Sequence, residues 1–205
     1  MRSLILAALV IACPTFSSPS YAGAPPEAES AHAIHLGNQS ATSTLVVYTS
    51  PTCSHCVDFE RRILPELKKR YVADGTLRIE LRPFVRNSVD AVIFMVLDNV
   101  SQLRKESALS AFTARFEEIK QSDQKEKILR SISSEAGIDG SAFNKAVADT
   151  ALLADLKGAT AEASKKFGVK GTPWFILDGR SVSYDGTVES LFKPRQKSGT
   201  SGAHR

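Results

Sequence analysis

Cysteine is scarce in this sequence of 205 residues, which carries it only at Cys13, Cys53 and Cys56. A second Cys-x-x-Cys pair is missing, which argues against a structural zinc site of four cysteines. No internal repeat is visible, so a repeat architecture is not indicated. With 42% hydrophobic residues, a chain of this length can bury one ordinary core, and we expect a single domain.

Long apolar runs are absent after Cys13, so the rest of the chain holds no candidate membrane span. The one apolar run, residues 4–13, follows a single positive charge and is too short to cross a bilayer, but it suits the core of a signal peptide. The tripeptide Ser-Tyr-Ala at residues 20–22 resembles a cleavage site before Gly23. We therefore predict a signal peptide over residues 1–22 and export to the periplasm.

A second interpretation of the leader treats Val-Ile-Ala-Cys at residues 10–13 as a lipobox, which would leave Cys13 lipidated and the protein tethered to a membrane. Pro14 directly follows the cysteine and the leader before it is very short, and both features argue against lipidation. With cleavage before Gly23, the mature chain keeps only Cys53 and Cys56.

An excess of charge of either sign is absent from the body of the chain. The formal net charge is +4, but Arg2 and the four basic residues of the tail account for that excess, and residues 23–192 hold 21 basic against 22 acidic residues. Such a body does not indicate a nucleic-acid partner. We expect the tail 193–205 to be disordered and residues 23–43 to be a flexible lead-in, since this segment opens with a Pro/Ala/Glu-rich stretch.

Short periodic segments predict the secondary structure of the first half. Residues 44–48 form an apolar run typical of a central strand, and from Cys53 the pattern becomes helical, with a kink expected at Pro65 and a stop at Asp74-Gly75. Residues 77–82 alternate between apolar and charged side chains, which predicts a strand with one solvated face.

A long helical block separates these elements from the C-terminal ones. Apolar residues recur at helical spacing over residues 88–167, and the first stripe includes Leu103. A strand follows over residues 174–177, then a turn at Asp178-Gly179, a second strand over residues 181–184 and a short helix over residues 187–192. The predicted fold is α/β, in the order β-α-β, helical block, β-β-α.

Two motifs and this order of elements resemble a known family. Cys53-Ser54-His55-Cys56 lies at the first strand–helix junction, and Gly-Val-Lys-Gly-Thr-Pro at residues 168–173 precedes the late hairpin. With the helical insertion at about residues 88–167, they resemble, over residues 44–192, the thioredoxin-like fold and within it the DsbA-like thiol:disulfide oxidoreductases of bacterial envelopes. The resemblance implies a thioredoxin-like core with an inserted all-helical domain.

The positions of the two cysteines suggest different roles. A helix N-terminus presents unpaired N–H groups and a partial positive charge, so Cys53 should have a stabilised thiolate. The pKa of a free cysteine, about 8.5, falls to roughly 3.5–7.5 in such settings. Cys56 begins the buried stripe of the helix. We therefore expect Cys53 to be the exposed nucleophile and Cys56 the resolving cysteine.

The resemblance implies roles for further residues. His55 would stabilise the Cys53 thiolate and make the disulfide strongly oxidising. Thr172-Pro173 matches the cis-proline loop that faces the redox pair and, with Ser54, would contact an extended substrate strand. No cofactor or metal is expected beyond the Cys53–Cys56 disulfide.

Two positions depart from the family's pattern. Val47 stands where many thioredoxin-like proteins place a buried acid, so proton transfer at the resolving thiol must use water or another group. Thr172 before the proline is as typical of the isomerase and reductase branches as of the oxidase branch.

We predict an oxidase that acts on reduced or unfolded exported proteins and is reoxidised by a membrane partner of the DsbB type. The alternative is a reductase or isomerase served by a donor of the DsbD type. The short segment before Cys53 argues against a separate dimerisation domain and favours a monomer.

Two hypotheses from other classes compete with this one. Cys53 and Cys56 have zinc-knuckle spacing, and His32 and His35 could complete four ligands, although both histidines fall in the predicted lead-in and are expected to be exposed. A chaperone-like module would instead hold unfolded chains beside Pro173 while the cysteines are idle.

Overall fold

Five strands form one mixed sheet in the computed structural model, which describes residues 30–193. The sheet order is β1-β3-β2-β4-β5, in which β2 and β3 are parallel and the other neighbours are antiparallel. A parallel pair needs a crossover connection, and the helical stretch after β2 supplies it. The strands are β1 (Ile34–Leu36), β2 (Ser43–Thr49), β3 (Leu77–Pro83), β4 (Trp174–Leu177) and β5 (Arg180–Val182).

The crossover helix changes its geometry around a proline. Helix α1 (Ser54–Asp58) continues into a π-helical segment (Phe59–Ile63), then into α2 (Leu64–Leu67) and a second π-helical segment (Lys68–Val72). Pro65 has no N–H group for the usual bond to the carbonyl four residues earlier, and wider π turns before and after it accommodate that loss. The predicted stop at Asp74-Gly75 is confirmed, because the helix ends at Val72 and Gly75 has a φ of +79°.

Six helices fill the predicted insertion. They are α3 (Ser88–Asp98), α4 (Gln102–Ala114), α5 (Phe116–Gln121), α6 (Lys125–Glu135), α7 (Gly140–Ala148) and α8 (Thr150–Phe167). The prediction that Leu103 belongs to the apolar stripe is wrong, since its side chain is 96% exposed. Helix α3 ends at Asp98 and α4 begins a new helical phase, so the spacing read across the break does not apply.

The prediction that one face of β3 is solvated is also wrong. Glu80 is 1% exposed and Arg82 is 4% exposed, because α8 packs over this face of the sheet. The Arg82 Nη2 atom lies 2.6 Å from Glu80 Oε2, and Arg78 Nη2 lies 3.0 Å from Glu80 Oε1. Buried charges are tolerated when they pair in this way, so alternating charges did not indicate solvent here.

The predicted flexible lead-in over residues 23–43 is wrong for the part that the structure describes. Ile34–Leu36 pairs with β3, and His32 Nδ1 lies 2.5 Å from Asp98 Oδ2. Both His32 and His35 are half-buried rather than exposed. A three-residue strand is too short to show a periodic signal in the sequence. The predicted signal peptide, the first residues of the lead-in and the tail after Lys193 lie outside the described residues.

The turn predicted at Asp178-Gly179 is confirmed, and it connects β4 to β5 in the C-terminal hairpin. Asp178 and Gly179 have φ angles of 48° and 77°, the backbone that a two-residue hairpin loop requires. The predicted last helix is a single 3₁₀ segment, Glu189–Phe192. Among residues 30–193, no helix is both long and apolar enough to cross a bilayer.

Candidate active site

Strand β2 delivers the two cysteines to one end of the sheet. A turn at residues 50–52 follows β2, and the Cys53 amide donates to the Ser50 carbonyl oxygen over 3.1 Å. Cys53 is the N-cap residue of α1, and its own carbonyl oxygen accepts from Val57 over 3.0 Å. The Cys53 sulfur therefore faces the unpaired amides of the first helical turn.

Hydrogen bonds stabilise the ionised form of Cys53. The Cys56 side chain makes the largest contribution, followed by the Thr172 side chain and the main-chain amides of Cys56 and His55. Burial opposes them, but the balance lowers the pKa of Cys53 to about 4. At neutral pH, Cys53 of the reduced protein is thus a thiolate, the form of cysteine that acts as a nucleophile.

Cys56 has the opposite behaviour. Burial raises the pKa of its thiol well above the ordinary value, and the hydrogen bond and charge of the neighbouring Cys53 raise it further. Cys56 is fully buried, whereas Cys53 is 7% exposed. Cys53 is therefore more accessible than Cys56, but far less exposed than the sequence predicts, because the loop before β4 lies against it.

That loop places Thr172 and Pro173 beside the sulfur of Cys53. Strand β4 pairs with β2 so that Trp174 lies opposite Tyr48 at the end of β2. The Thr172–Pro173 peptide bond is cis. The Cys53 sulfur lies 3.2 Å from the Thr172 carbonyl oxygen. The Thr172 hydroxyl is buried and has no hydrogen-bond partner of regular geometry among the described residues, and its proximity to this sulfur lowers the pKa of Cys53.

A groove of about 430 Å³ opens next to the cysteine pair. Ser54 and His55 are exposed at the start of α1, and the His55 side chain forms one wall of the groove. The hydrogen bond that connects His55 to Cys53 comes from its main-chain amide. The other groove residues are Asp58, Pro173, Trp174, Phe175, Val182, Tyr184, Asp185 and Gly186. The mixed aromatic and polar lining can hold an extended chain beside Cys53.

Asp90, which the sequence analysis missed, holds the active-site turn. It is fully buried in the first turn of α3. Its carboxylate accepts from the Ser50 hydroxyl over 2.8 Å, from the Thr52 hydroxyl over 2.8 Å and from the Thr52 amide over 3.1 Å. The Arg86 amide also donates to it, over 3.0 Å. Nothing local in the sequence signals a contact across about forty residues of chain.

Glu60, also missed, lies one helical turn after Cys56. The Thr49 hydroxyl lies 3.2 Å from Glu60 Oε1. Burial raises the pKa of the Glu60 carboxyl to about 7, while bonds from Thr113 and Thr49 lower it in part. Val47, which stands where many thioredoxin-like proteins have a buried acid, is packed in the core. An acidic residue four positions after Cys56 on the same helix was the available signal.

A zinc site is not formed by the residues proposed for it. In the part of the chain from 30 to 193, no three His, Cys, Asp or Glu side chains lie close enough together to hold a metal ion. His32 is bound to Asp98, and His35 lies opposite Glu80 in the β1–β3 ladder.

Comparisons with known proteins agree with this architecture. Residues 29–193 match the thioredoxin family. A protein of Rickettsia prowazekii, with the provisional name protein-disulfide oxidoreductase, is 27% identical over 151 residues, which are 70% of this chain and 53% of that protein. The similar protein of Rickettsia conorii is 27% identical over 156 residues, covering 70% and 52%. The chain spans about half the length of these relatives.

Solved structures show the same fold. A protein-disulfide isomerase from Novosphingobium aromaticivorans superimposes with a TM-score of 0.69 at 26% identity, over 78% of this chain and 93% of that one. The α-DsbA1 protein of Wolbachia pipientis superimposes with a TM-score of 0.67 at 21% identity, over 77% and 81%. The predicted α/β fold with a helical insertion is confirmed, and the chain belongs to the thioredoxin family, with the fold of its DsbA-like members.

Proposed function

We propose that the protein is a thiol:disulfide oxidoreductase that acts as an oxidase, donating the Cys53–Cys56 disulfide to other proteins. The observation that carries this proposal is the stabilised thiolate of Cys53, whose pKa is lowered to about 4. A stabilised thiolate favours the reduced form of the pair, so the disulfide is a strong oxidant. The names of the Rickettsia and Novosphingobium relatives support the reaction class.

The reaction follows from the accessibility of the two sulfurs. A substrate thiolate attacks Cys53, the more accessible sulfur, and the Cys53–Cys56 bond breaks. The electron pair goes to Cys56, and a mixed disulfide between the substrate and Cys53 results. A second substrate thiolate then attacks the substrate sulfur and releases Cys53 as a thiolate. The substrate loses two electrons, the cysteine pair gains two, and no further cofactor is needed.

The proposed substrates are reduced or unfolded exported proteins. The groove beside Pro173 supports this, because aromatic and polar residues line it, among them Trp174, Tyr184 and Asp185. The predicted signal peptide supports a periplasmic location, where reoxidation would come from a membrane partner of the DsbB type. We further propose that the protein works as a monomer. Fractionation of cells that produce the full chain tests the location.

A reductase or isomerase is the second candidate, favoured by the name of the Novosphingobium relative. The reduction potential separates the two. Equilibration of residues 23–205 against glutathione buffers, with thiols counted by alkylation, should give a value near about −120 mV for an oxidase. A value near about −270 mV would instead show a protein that removes or reshuffles disulfides.

The chaperone-like hypothesis is tested separately. The Cys53→Ser, Cys56→Ser double variant keeps the groove but removes the redox pair. If this variant retained full activity in cells, chain binding rather than disulfide exchange would be the function.

A further inference from the structure

Thr49 lies between the resolving cysteine and an acidic side chain. Its hydroxyl lies 3.2 Å from Glu60 Oε1, and the same side chain hydrogen-bonds the sulfur of Cys56. Thr49 is 1% exposed and Cys56 is fully buried, so neither group has direct access to bulk water. Glu60 is less buried than these two residues, and part of its surface is exposed.

Disulfide exchange forces the Cys56 sulfur to change its protonation state. When a thiolate attacks Cys53 in the disulfide, the Cys53–Cys56 bond breaks and the electron pair stays on Cys56. Burial raises the pKa of this thiol, so the new thiolate must take up a proton. In the reverse reaction, the Cys56 thiol must lose that proton before it attacks. A buried sulfur requires a proton donor and acceptor within the protein.

We propose that Thr49 and Glu60 form a proton relay for Cys56, in which the Thr49 hydroxyl passes a proton between the Glu60 carboxyl and the Cys56 sulfur. This inference rests on the proposed oxidoreductase function. As the disulfide opens, the Thr49 hydroxyl proton moves to Cys56, the Glu60 proton moves to the Thr49 oxygen, and Glu60 is left as a carboxylate. The reverse reaction returns the proton along the same path.

The relay answers the absence of an acid at Val47. Val47 lies on β2 two residues before Thr49, in the packed core. The acid is instead provided by the helix after the cysteine pair, and a hydroxyl on β2 bridges the gap. Thr49 and Glu60 thus act through the resolving thiol, while Cys53 is the sulfur that the substrate thiolate attacks.

Other charged groups around Glu60 permit both protonation states. Arg61, on the same helical segment, favours the carboxylate, and Glu106 of α4 opposes it. Thr113 of α4 also hydrogen-bonds the carboxyl. Burial is the largest influence and brings the pKa of Glu60 to about 7, where a group serves equally well as acid and base at neutral pH.

The test separates the two steps by which oxidised glutathione oxidises the reduced protein. In the first step, the Cys53 thiolate forms a mixed disulfide and releases one glutathione. In the second, the Cys56 thiol loses its proton, attacks Cys53 and releases the other glutathione. Rapid acid quenching, alkylation and mass spectrometry measure each rate from about pH 5 to about pH 9.

The relay predicts an effect on the second step alone. Thr49→Val should slow this step by at least about a hundredfold, the lower end of what general acid–base catalysis contributes. Both Thr49→Val and Glu60→Gln should remove an inflection near pH 7 from its pH profile. Thr49→Ser, which keeps the hydroxyl, should restore the rate and the inflection. Thr42→Val, which removes an exposed hydroxyl, is the matched control and should change neither step.

Wild-type second-step rates and pH profiles in Thr49→Val and Glu60→Gln would overturn the relay. If Thr49→Val does not fold, Glu60→Gln and Thr49→Ser decide the question. If both steps proceed in these variants at the wild-type rates, the relay is rejected and the oxidoreductase function is left intact. If the wild-type protein forms no mixed disulfide, both the function and the relay are rejected.

Discussion

The sulfur of Cys53 lies 3.2 Å from the carbonyl oxygen of Thr172, a residue 119 positions later in the chain. This contact joins the start of α1 to the loop before β4, which the pairing of β4 with β2 holds in place. The Thr172 hydroxyl also contributes to the low pKa of Cys53. Its side chain is therefore the first one to alter.

Thr172→Val should raise the pKa of Cys53 and make the disulfide a weaker oxidant. The variant loses a hydroxyl that stabilises the thiolate. A hydrogen bond to a charged group contributes about 1.5–3 kcal/mol, which corresponds to a shift of roughly one to two pKa units. Titration of the thiolate absorbance of the reduced protein measures the change. A variant with the wild-type titration would show that the Thr172 hydroxyl does not act on Cys53.

His55→Ala should have a smaller effect on Cys53 than Thr172→Val. The structure connects His55 to the sulfur through its main-chain amide, and alanine keeps that amide. The same thiolate titration compares the two variants side by side. If His55→Ala raised the pKa of Cys53 more than Thr172→Val does, the His55 ring would have the role that the family resemblance implies.

The stability of the reduced protein should fall in acid relative to that of the disulfide form. The unfolded Cys53 thiol ionises near about pH 8.5, and the folded one near about pH 4. Between these values the unfolded state binds more protons, so this contribution is complete above about pH 8.5 and is lost as the pH falls through about 4. Denaturant unfolding of both forms across this range measures it.

Cys53→Ser is the control for that pH dependence, because it removes the titrating thiol. A constant difference between the reduced and disulfide forms of the wild-type protein from pH 4 to pH 8 would contradict the low pKa of Cys53.

The free energy of unfolding of the disulfide form should fall as the pH rises, because Glu60 ionises. The unfolded carboxyl ionises near about pH 4.3, but the folded one keeps its proton until about pH 7. Between these values the folded state binds more protons, so the free energy of unfolding falls with rising pH, by up to about 4 kcal/mol. Glu60→Gln should reduce this loss, measured by urea unfolding at about pH 5 and about pH 8.

The exposed Glu117→Gln is the matched control and should keep the wild-type dependence on pH. Equal pH dependence in Glu60→Gln and wild type would mean that Glu60 titrates in its ordinary range.

Asp90→Ala should destabilise the protein by about 2–4 kcal/mol. It leaves the Ser50 and Thr52 hydroxyls and the Thr52 amide without their acceptor in a buried place. Urea unfolding measures the loss, and Asp155→Ala, on the exposed face of α8, is the control. A loss no larger than that of Asp155→Ala would show that the active-site turn holds its shape without Asp90.

Local signals predicted the elements that make regular contacts. The apolar run before Cys53, the Asp74-Gly75 stop and the Asp178-Gly179 turn depend on neighbouring residues, and the structure has them where the sequence places them. Predictions failed where a distant element decides the environment. The charges of β3 are buried because α8 covers them, and the short β1 exists because β3 offers it an edge to pair with.

The sequence alone determined the order of the elements from β2 onward and the place of Cys53 at a helix N-terminus, because period, turn chemistry and capping are local properties. Only the tertiary structure brought Thr172 to the Cys53 sulfur, Asp90 to the turn before it, and Glu60 within reach of Thr49. Those contacts set the environment of the cysteine pair, and they depend on strand pairing and helix packing between segments far apart in the chain.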